Sequence, residues 1–520
     1  MRKFYFYLHL PILIIIGVSA AFYFNFTAED AYITYRYSEN WVNTGSLVYN
    51  EGEPINAMTS PLHAILSAAL FFVTGNTVLS YKIVSLALLF LSALLVWYRY
   101  REHVHLQVLA LILLIPPSAL LWTFGGLETP ILLFLATITV ILALRPPPFR
   151  LNLLCVIFLL AGLAFITRYD SILFFLPVTL YAASKTRSIK NVVIAIAGAA
   201  ILPLAWLFVS IHYYGDLLPT SFYVKTPTGN LWGLIFNGKY IASYLLYVGL
   251  IPVVALVFVL VIPKHRTIDI LYQHFKSIWW LYIGLLLEIL YGLMIATHHM
   301  MFSFRFFVPY IPATVILVVD LLRRASETKE VDLSTGRPAY LFTGFLLCLM
   351  LFQLHQNVYT YNHSINGISS IGEYRAVGIR DYVRFMQILK QEALDIEKHW
   401  EVINGDSGRR PRIISFAAGM LPYTYRESYI YEKLVSYRHC HERYRQGLNA
   451  DYIHILAPRQ GKVDVQLPRP EDSYSLVSSY EMFFDGSMQE FLVYYNPRPE
   501  EHNLGIGIYE HCKQVEQAGD

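Results

Sequence analysis

Apolar runs of bilayer-crossing or nearly crossing length recur through residues 9–355, and no other feature limits the fold of this chain as much. They fall at about 9–26, 61–74, 78–98, 106–124, 129–144, 151–166, 171–183, 191–211, 241–262, 277–297, 306–322 and 339–355. A backbone in hydrocarbon must satisfy its own hydrogen bonds, so such a series predicts a polytopic α-helical membrane protein. Composition agrees: 55% of the 520 residues are hydrophobic and only 15% are charged, against about a quarter charged in soluble domains. A net charge of +3 without any large basic block argues against a nucleic-acid partner.

The connections between the runs alternate in character. Arg99–Arg101, Arg145–Arg150, Lys185–Lys190, Lys264–Arg266 and Arg323–Lys329 are basic. The others carry acids or mixed polar residues: Glu29-Asp30, GGLET at Gly125–Thr129, TRYD at Thr167–Asp170, YYGD at Tyr213–Asp216 and HHMMFSFR at His298–Arg305. Basic loops belong in the cytoplasm. With Met1-Arg2-Lys3 inside as well, and the first run read as an uncleaved span, the alternation closes only if one early segment does not cross. The segment 61–74 is bracketed by Pro61 and Gly75 and is too short for a ~30 Å hydrocarbon core. It is expected to be an interfacial or re-entrant helix. Eleven spans remain, and every acid-bearing loop falls on the outer face.

Two domains are expected: 1–355 in the membrane, with a first external loop over 27–75, and a soluble α/β domain over 356–520 outside the cytoplasm. In the second, 412–419, 452–458, 473–480 and 490–495 alternate like strands, and 373–392 and 429–445 read as helices. Of the four cysteines, Cys155 and Cys348 lie in apolar runs as packing residues. Cys440 and Cys512 are close enough to oxidising conditions, on this topology, to form a disulfide. No CxxC or Cys/His cluster points to a metal. Adjacent His298 and His299 do not face one site on a helix and have no third ligand nearby.

The external loops hold the residues that can do chemistry. Glu29 and Asp30 follow a span; such a pair can cap a helix or sit solvated, or one carboxylate can act as a general base on a hydroxyl. Glu128 opens a span, where the helix dipole alone favours an acid. Arg168 and Asp170 can pair with each other, or the arginine can grip a lipid-linked phosphate through its fork. Asp216 and Lys225 are the charges of a loop that can be purely structural, and Arg305 is an interfacial anchor or a phosphate ligand. Tyr32, Tyr35, Tyr37 and Trp41 cluster around Arg36; tyrosine serves either as a membrane-belt residue or as a stacking face for sugars. Each motif alone is weak. Together they suit transfer of a group from an amphipathic donor whose phosphate leaves toward cations and whose acceptor hydroxyl needs a base.

At this point the residues match a known pattern. EDAYITYRYSENWVNTGSLVYNEGEPINAMTSPLH, from Glu29 to His63, resembles the first-loop signature of C-type (GT-C) glycosyltransferases related to the terminal β-1,2-arabinofuranosyltransferase of mycobacterial cell walls. GGLETPILLFLA, TRYDS, YYGDLLPTSFYVK and FRFFVPYIP follow in the same order, as does ISFAAGMLPYTYRESYIY with ADYIHILAP near the C-terminus. The resemblance covers nearly the whole chain; its first-loop motif is specific and the others support it. It implies a GT-C fold and an inverting enzyme of the cell envelope using a sugar on a polyprenyl phosphate. The acidic pair falls on Glu29 and Asp30, both read as catalytic, with Asp30 as the implied base and Glu29, with Glu128, orienting sugar hydroxyls. The arginines fall on Arg36 and Arg168, with Arg305 as a further phosphate ligand. Glu128, Asp170, Tyr35 and Asp216 are assigned to the sugar. His298-His299-Met300-Met301, Asn56-Ala57-Met58 and the missing acid before Ala418 depart from the pattern, where donor or acceptor would be sensed.

The expected function is therefore transfer of a sugar, arabinofuranose among the candidates, from a polyprenyl-phosphate donor to a cell-envelope glycan or glycolipid hydroxyl. The expected location is the cytoplasmic (inner) membrane, with the active site and C-terminal domain facing the periplasm or exterior and membrane lipids as partners. No cofactor is expected, though Glu29 and Glu128 leave a divalent ion open. The alternatives are a GT-C transferase acting on lipid A or protein, a lipid-linked glycan transporter, and a non-catalytic envelope scaffold. A transporter should show inverted repeats and charges at mid-membrane; the charges here sit at loop edges.

Overall fold

The computed structural model describes residues 7–225, 238, 240–246, 267–295, 302–327, 336–362, 378–405, 408–415, 417–432, 450–458, 475–484 and 487–496. The chain divides into two compact units, the first of Met1–Phe26, Lys82–Trp206 and Gly229–Ile371, the second of Thr27–Tyr81, Leu207–Thr228 and Gly372–Asp520. The main helices are α1 His9–Tyr23, α2 Glu29–Thr44, α3 Pro61–Thr74, α4 Thr77–Arg99, α5 Val104–Leu114, α6 Pro117–Phe124, α7 Thr129–Ala143, α8 Leu151–Thr167, α9 Ile172–Ser184, α10 Ile189–Val209, α11 Thr267–Ile295, α12 Ile311–Glu327, α13 Gly336–Asn362 and α14 Ile379–Asn404. The strands are β1 Arg412–Ser415, β2 Tyr429–Tyr431, β3 Tyr452–Pro458, β4 Ser475–Phe484 and β5 Ser487–Tyr495.

The first unit is helical. Among the described residues, Thr77–Arg99, Ile189–Tyr214, Ile268–Met294 and Pro338–Asn362 are long and apolar enough to cross a membrane. The run at 106–124 is not one straight helix. It breaks into α5 and α6, bent by 55°, because Pro116 and Pro117 remove backbone donors and drive Ile115 out of the helical region. Counted as one span, the pair makes a fifth. His9–Tyr23, Thr129–Ala143, Leu151–Thr167 and Tyr169–Ser184 are shorter apolar helices, and most of 241–262 lies outside the described residues. Buried Lys82 on α4 donates to the carbonyls of Phe24 and Phe26, satisfying groups just beyond the C-terminus of α1. Further along α4, Arg99 meets buried Asp320 of α12 at 2.7 Å, and the Tyr100 hydroxyl donates to the same carboxylate at 3.1 Å.

The second unit gathers the first loop and the C-terminal region. The stretch after Thr27 opens as α2, whose first turn carries Glu29 and Asp30 against the positive end of the helix dipole. It ends at Gly45, in the left-handed conformation with φ 76°, which donates its N–H to Trp41. The helix expected at 61–74 is present as α3, with Pro61 in its first turn and Gly75 closing it. At ~1.5 Å per residue it is about 21 Å long, against a hydrocarbon core of ~30 Å. It packs on α2: the Ser38 hydroxyl donates to Thr34 and Ala64 carbonyls at 2.8 and 3.0 Å.

The sheet has the order β2-β1-β3-β5-β4. β1 is parallel to β2 and β3, while β5 is antiparallel to β3 and β4. All four expected strands are found, β1 ending at Ser415 short of the expected 419 and β4 and β5 being longer than read. The helix read from 373 is α14, running on to Asn404, with residues before 378 outside the description. The helix read at 429–445 is corrected: Tyr429–Tyr431 forms β2, with Ile430 fully buried and paired to Ile413 of β1. Tyr-Ile-Tyr alternates at period two, and a parallel neighbour outweighs any helical pattern downstream. Residues 433–445 of that segment, Cys440 among them, and Cys512, His298 and His299 lie outside the described residues. Helix α14 is tied to the sheet by a buried chain: Glu392 meets His454 Nε2 at 3.0 Å, and His454 Nδ1 meets the Ser415 hydroxyl at 2.9 Å. Ser415 in turn accepts the Ala417 N–H at 3.1 Å, shaping the turn that leads to Gly419.

Candidate active site

In the second unit the two acids of α2 are separated by their surroundings. Glu29 points to the Ala417–Gly419 turn, where the Gly419 N–H donates to its carboxylate; its own backbone N–H donates to the Tyr382 hydroxyl of α14 at 2.9 Å. The approach is close enough that a Cβ at Gly419 would collide with the Glu29 carbonyl oxygen and carboxylate. This is the reason for glycine there. Burial, then the neighbouring Asp30 charge, raise the Glu29 pKa to about 8, with the Gly419 N–H pulling the other way. This shift favours the protonated form of Glu29. Asp30 is half-buried one residue further along the same turn.

The Glu29 shift carries a stability signature. A carboxyl whose folded pKa lies above its unfolded value stabilises the fold fully below the unfolded pKa, near 4.5, and loses that contribution as pH rises toward about 8. The melting temperature should therefore fall across this window. Glu29→Gln keeps the acceptor for Gly419 and should flatten that part of the curve. Parallel slopes in the two proteins, followed by thermal unfolding in detergent, would refute the assignment.

Arg36 and Tyr35 lie deeper than expected. Arg36 is 4% exposed and donates to three backbone carbonyls: Tyr49 at 2.9 Å, Ser428 at 2.7 Å and Pro422. Its guanidinium also lies 4.8 Å from the Tyr49 ring centroid. Tyr35 has no exposed surface and stands among Tyr32, His63, Tyr81 and Tyr423, with ring centroids 5.7–6.3 Å away. The first loop is stitched to the C-terminal region elsewhere too. Asn50 accepts from the Ile430 N–H and donates to its carbonyl, as a strand would, along the edge strand β2. Asp216 follows the turn at Gly215; its carbonyl accepts from Ser210, and Thr220 donates to Asn56 at 2.8 Å.

In the first unit, Glu128, Arg168, Asp170 and Arg305 come together. Arg305 Nη2 lies 3.1 Å from Glu128, and Arg168 Nη1 lies 3.7 Å from the same oxygen. Arg168 grips Asp170 with a two-pronged fork at 3.0 and 2.6 Å. The pairing that the TRYD segment left open is therefore made. The GGLET glycines explain how Glu128 is delivered: Gly126 has φ 76°, and a Cβ on Gly125 would sit 2.7 Å from the Trp122 ring. The same Trp122 carries Arg305 on its face at 5.5 Å and donates to the Ser303 carbonyl at 3.2 Å. Ser303 and Phe304 have φ of 50° and 60°, a strained approach for non-glycine residues that leads directly into Arg305.

Three comparisons bear on this arrangement. Two solved structures of ArnT from Cupriavidus metallidurans, in the apo state and bound to undecaprenyl phosphate, match with TM-scores of 0.54 and 0.53 at 11% identity. They cover 92% and 95% of this chain and 97% and 98% of their own. The chain has the ArnT fold. In sequence it is 27% identical over 262 residues to the terminal beta-(1->2)-arabinofuranosyltransferase of Mycobacterium tuberculosis, a match of 46% of this chain and 41% of that protein. No protein-family model matches. The chain is thus similar to ArnT in fold and, over under half the relative's length, to an arabinofuranosyltransferase in sequence.

Some residues near these clusters escaped the sequence. Glu288 lies on α11, 1% exposed, within electrostatic reach of Asp170, Arg168 and Tyr310. Its signal was a lone acid inside an apolar run. Glu39 of α2 is 2% exposed and accepts from Thr77 at 2.6 Å and Tyr423 at 2.8 Å, with Arg426 paired to it. Nothing in its local sequence separates it from a surface acid.

Proposed function

We propose that this chain is an inverting membrane glycosyltransferase that moves a sugar from a polyprenyl-phosphate donor to a hydroxyl of a cell-envelope glycan or glycolipid. The observation that carries the reading is the acid pair of α2. The Glu29 carboxylate is occupied by the Gly419 N–H, and Asp30, one residue further along the same turn, is assigned as the base. Support comes from the ArnT fold, one of whose structures holds undecaprenyl phosphate, and from the sequence likeness to an arabinofuranosyltransferase.

In the proposed reaction Asp30 removes the acceptor hydroxyl proton as that oxygen bonds to the anomeric carbon. The bond from that carbon to the phosphate oxygen breaks in line, the configuration inverts and polyprenyl phosphate leaves. Arg168 and Arg305 are assigned to the phosphate, exchanging part of their contact with Asp170 and Glu128 for it; the freed carboxylates then face sugar hydroxyls. Arg36 and Tyr35 are assigned positioning roles instead of the phosphate and sugar roles first expected. Eleven spans, with the acid-bearing loops and residues 356–520 outside the cytoplasm, complete the reading.

The test is a vesicle assay with purified protein and a panel of polyprenyl-phosphate sugars, arabinofuranose included, with products analysed for anomeric configuration. Transfer with inversion from at least one donor is expected. Retention of configuration, or transfer from nucleotide sugars alone, would overturn the proposal.

A further inference from the structure

Beside the acid pair, within the second unit, lies an open cleft of about 430 Å³. Its wall includes Tyr32, Asn76, Lys390, Met420, Tyr423 and Arg426, and among the described residues no aspartate or glutamate lines it. Tyr32 is two residues along α2 from Asp30. Met420 adjoins Gly419, whose N–H holds Glu29.

The cleft's charges are arranged for an anion. Arg426 is 46% exposed, yet it is fixed from behind by its ion pair with buried Glu39 and by the rings of Tyr423 and Phe71, 5.4 and 5.7 Å away. Glu39 offsets one positive charge. Lys390 projects from α14, is exposed and has no ion-pair partner among the described residues, so the lining retains a net positive charge. The Tyr32 and Tyr423 rings stand 5.0 Å apart at 54°. The Tyr423 hydroxyl donates to Glu39 at 2.8 Å, and its ring borders the cleft beside Arg426. Aromatic faces suit the apolar face of a pyranose or furanose, and an ammonium beside a guanidinium suits phosphate or carboxylate oxygens. Neither feature suits a neutral hydrocarbon.

We propose that this cleft is an acceptor subsite for an acidic saccharide, one bearing a phosphate or a carboxylate. The proposal rests on the glycosyl-transfer reading above and adds an acceptor preference to it.

The experiment titrates full-length protein in detergent with glucose 1-phosphate, glucuronate, glucose and inorganic phosphate, followed by ligand-observed NMR. Both acidic sugars should bind, with glucose and inorganic phosphate each weaker by about tenfold or more. Lys390→Gln should weaken both acidic sugars by about tenfold and leave the melting temperature unchanged, while Lys390→Arg should restore them. Equal binding of glucose and its phosphate, equal binding of inorganic phosphate, or an unaffected Lys390→Gln variant would each overturn the subsite. Displacement of glucose 1-phosphate by farnesyl phosphate would also overturn it, assigning the cleft to the donor. Asp30→Asn protein should bind the probes like the wild type. Binding is read without turnover, so a failed transfer reaction removes the functional reading alone, and failed binding removes only the subsite.

Discussion

Asp30→Asn should lower sugar transfer by roughly 10²- to 10⁴-fold, the usual scale of a lost general base, while the protein inserts and melts much like the wild type. Asparagine keeps the shape but cannot take the acceptor proton. The fold has little to lose: Asp30 lies in the first turn of α2, where a negative charge contributes about 0.3–1 kcal/mol through the helix dipole. A second readout ties the effect to this pair of acids. The Asp30 charge helps to raise the Glu29 pKa, so neutralising it should move the pH window of the Glu29-linked stability change downward. Turnover retained in a reconstituted polyprenyl-phosphate-sugar assay would end the base assignment. A lost window shift with lost turnover would instead point to a misfolded first turn. Glu29→Gln offers the opposite combination, because glutamine still accepts from the Gly419 N–H: turnover near wild type and a flattened pH–stability curve.

How much of this was legible in the sequence depends on the range of the interaction involved. The apolar runs and their turns act locally. Pro61 and Gly75 delimit α3 at the two positions where they stand, and Gly125-Gly126 make the close approach and the left-handed turn that such a pair permits. The alternating strands at 452–458 and 490–495 were readable for the same reason. The bend within 106–124 was also written locally, in Pro116-Pro117, but apolar content masked it. What could not be read is the long-range pairing of charges. The phosphate role of Arg36 rested on the resemblance of the first-loop motif. Its guanidinium is met by carbonyls at Tyr49, Pro422 and Ser428, two of them nearly 400 residues away in sequence. Glu39 and Arg426 pair across a similar gap. The Tyr-Ile-Tyr of β2 took its conformation from β1, a neighbour the local pattern does not contain. Arg168 and Asp170 could be seen as partners because they are two residues apart.

Arg36→Ala should destabilise the second unit by roughly 2–6 kcal/mol, since it removes the donors to the buried Pro422 and Ser428 carbonyls, while the Tyr49 carbonyl keeps the Asn40 amide. The effect should appear first as proteolysis of the 420–428 segment, because two of those carbonyls, Pro422 and Ser428, belong to it. The same segment carries Tyr423 and Arg426 and follows Gly419, so its release would loosen both the Glu29 contact and the cationic cleft. Arg36→Lys separates this positioning role from direct phosphate binding. Lysine keeps the positive charge but cannot reach in three directions at once, so a clamp should lose much of its stability even with the charge retained. A phosphate ligand would behave differently: Arg36→Lys would raise KM for the polyprenyl-phosphate donor and leave the melting temperature and the proteolysis pattern unchanged. The burial of Arg36 and its three carbonyl partners favour the first result. If so, the arginine of the first-loop motif serves to fix the 420–428 segment, and the charge that meets the leaving phosphate has to come from elsewhere in the chain, for which Arg168 and Arg305 are the assigned candidates.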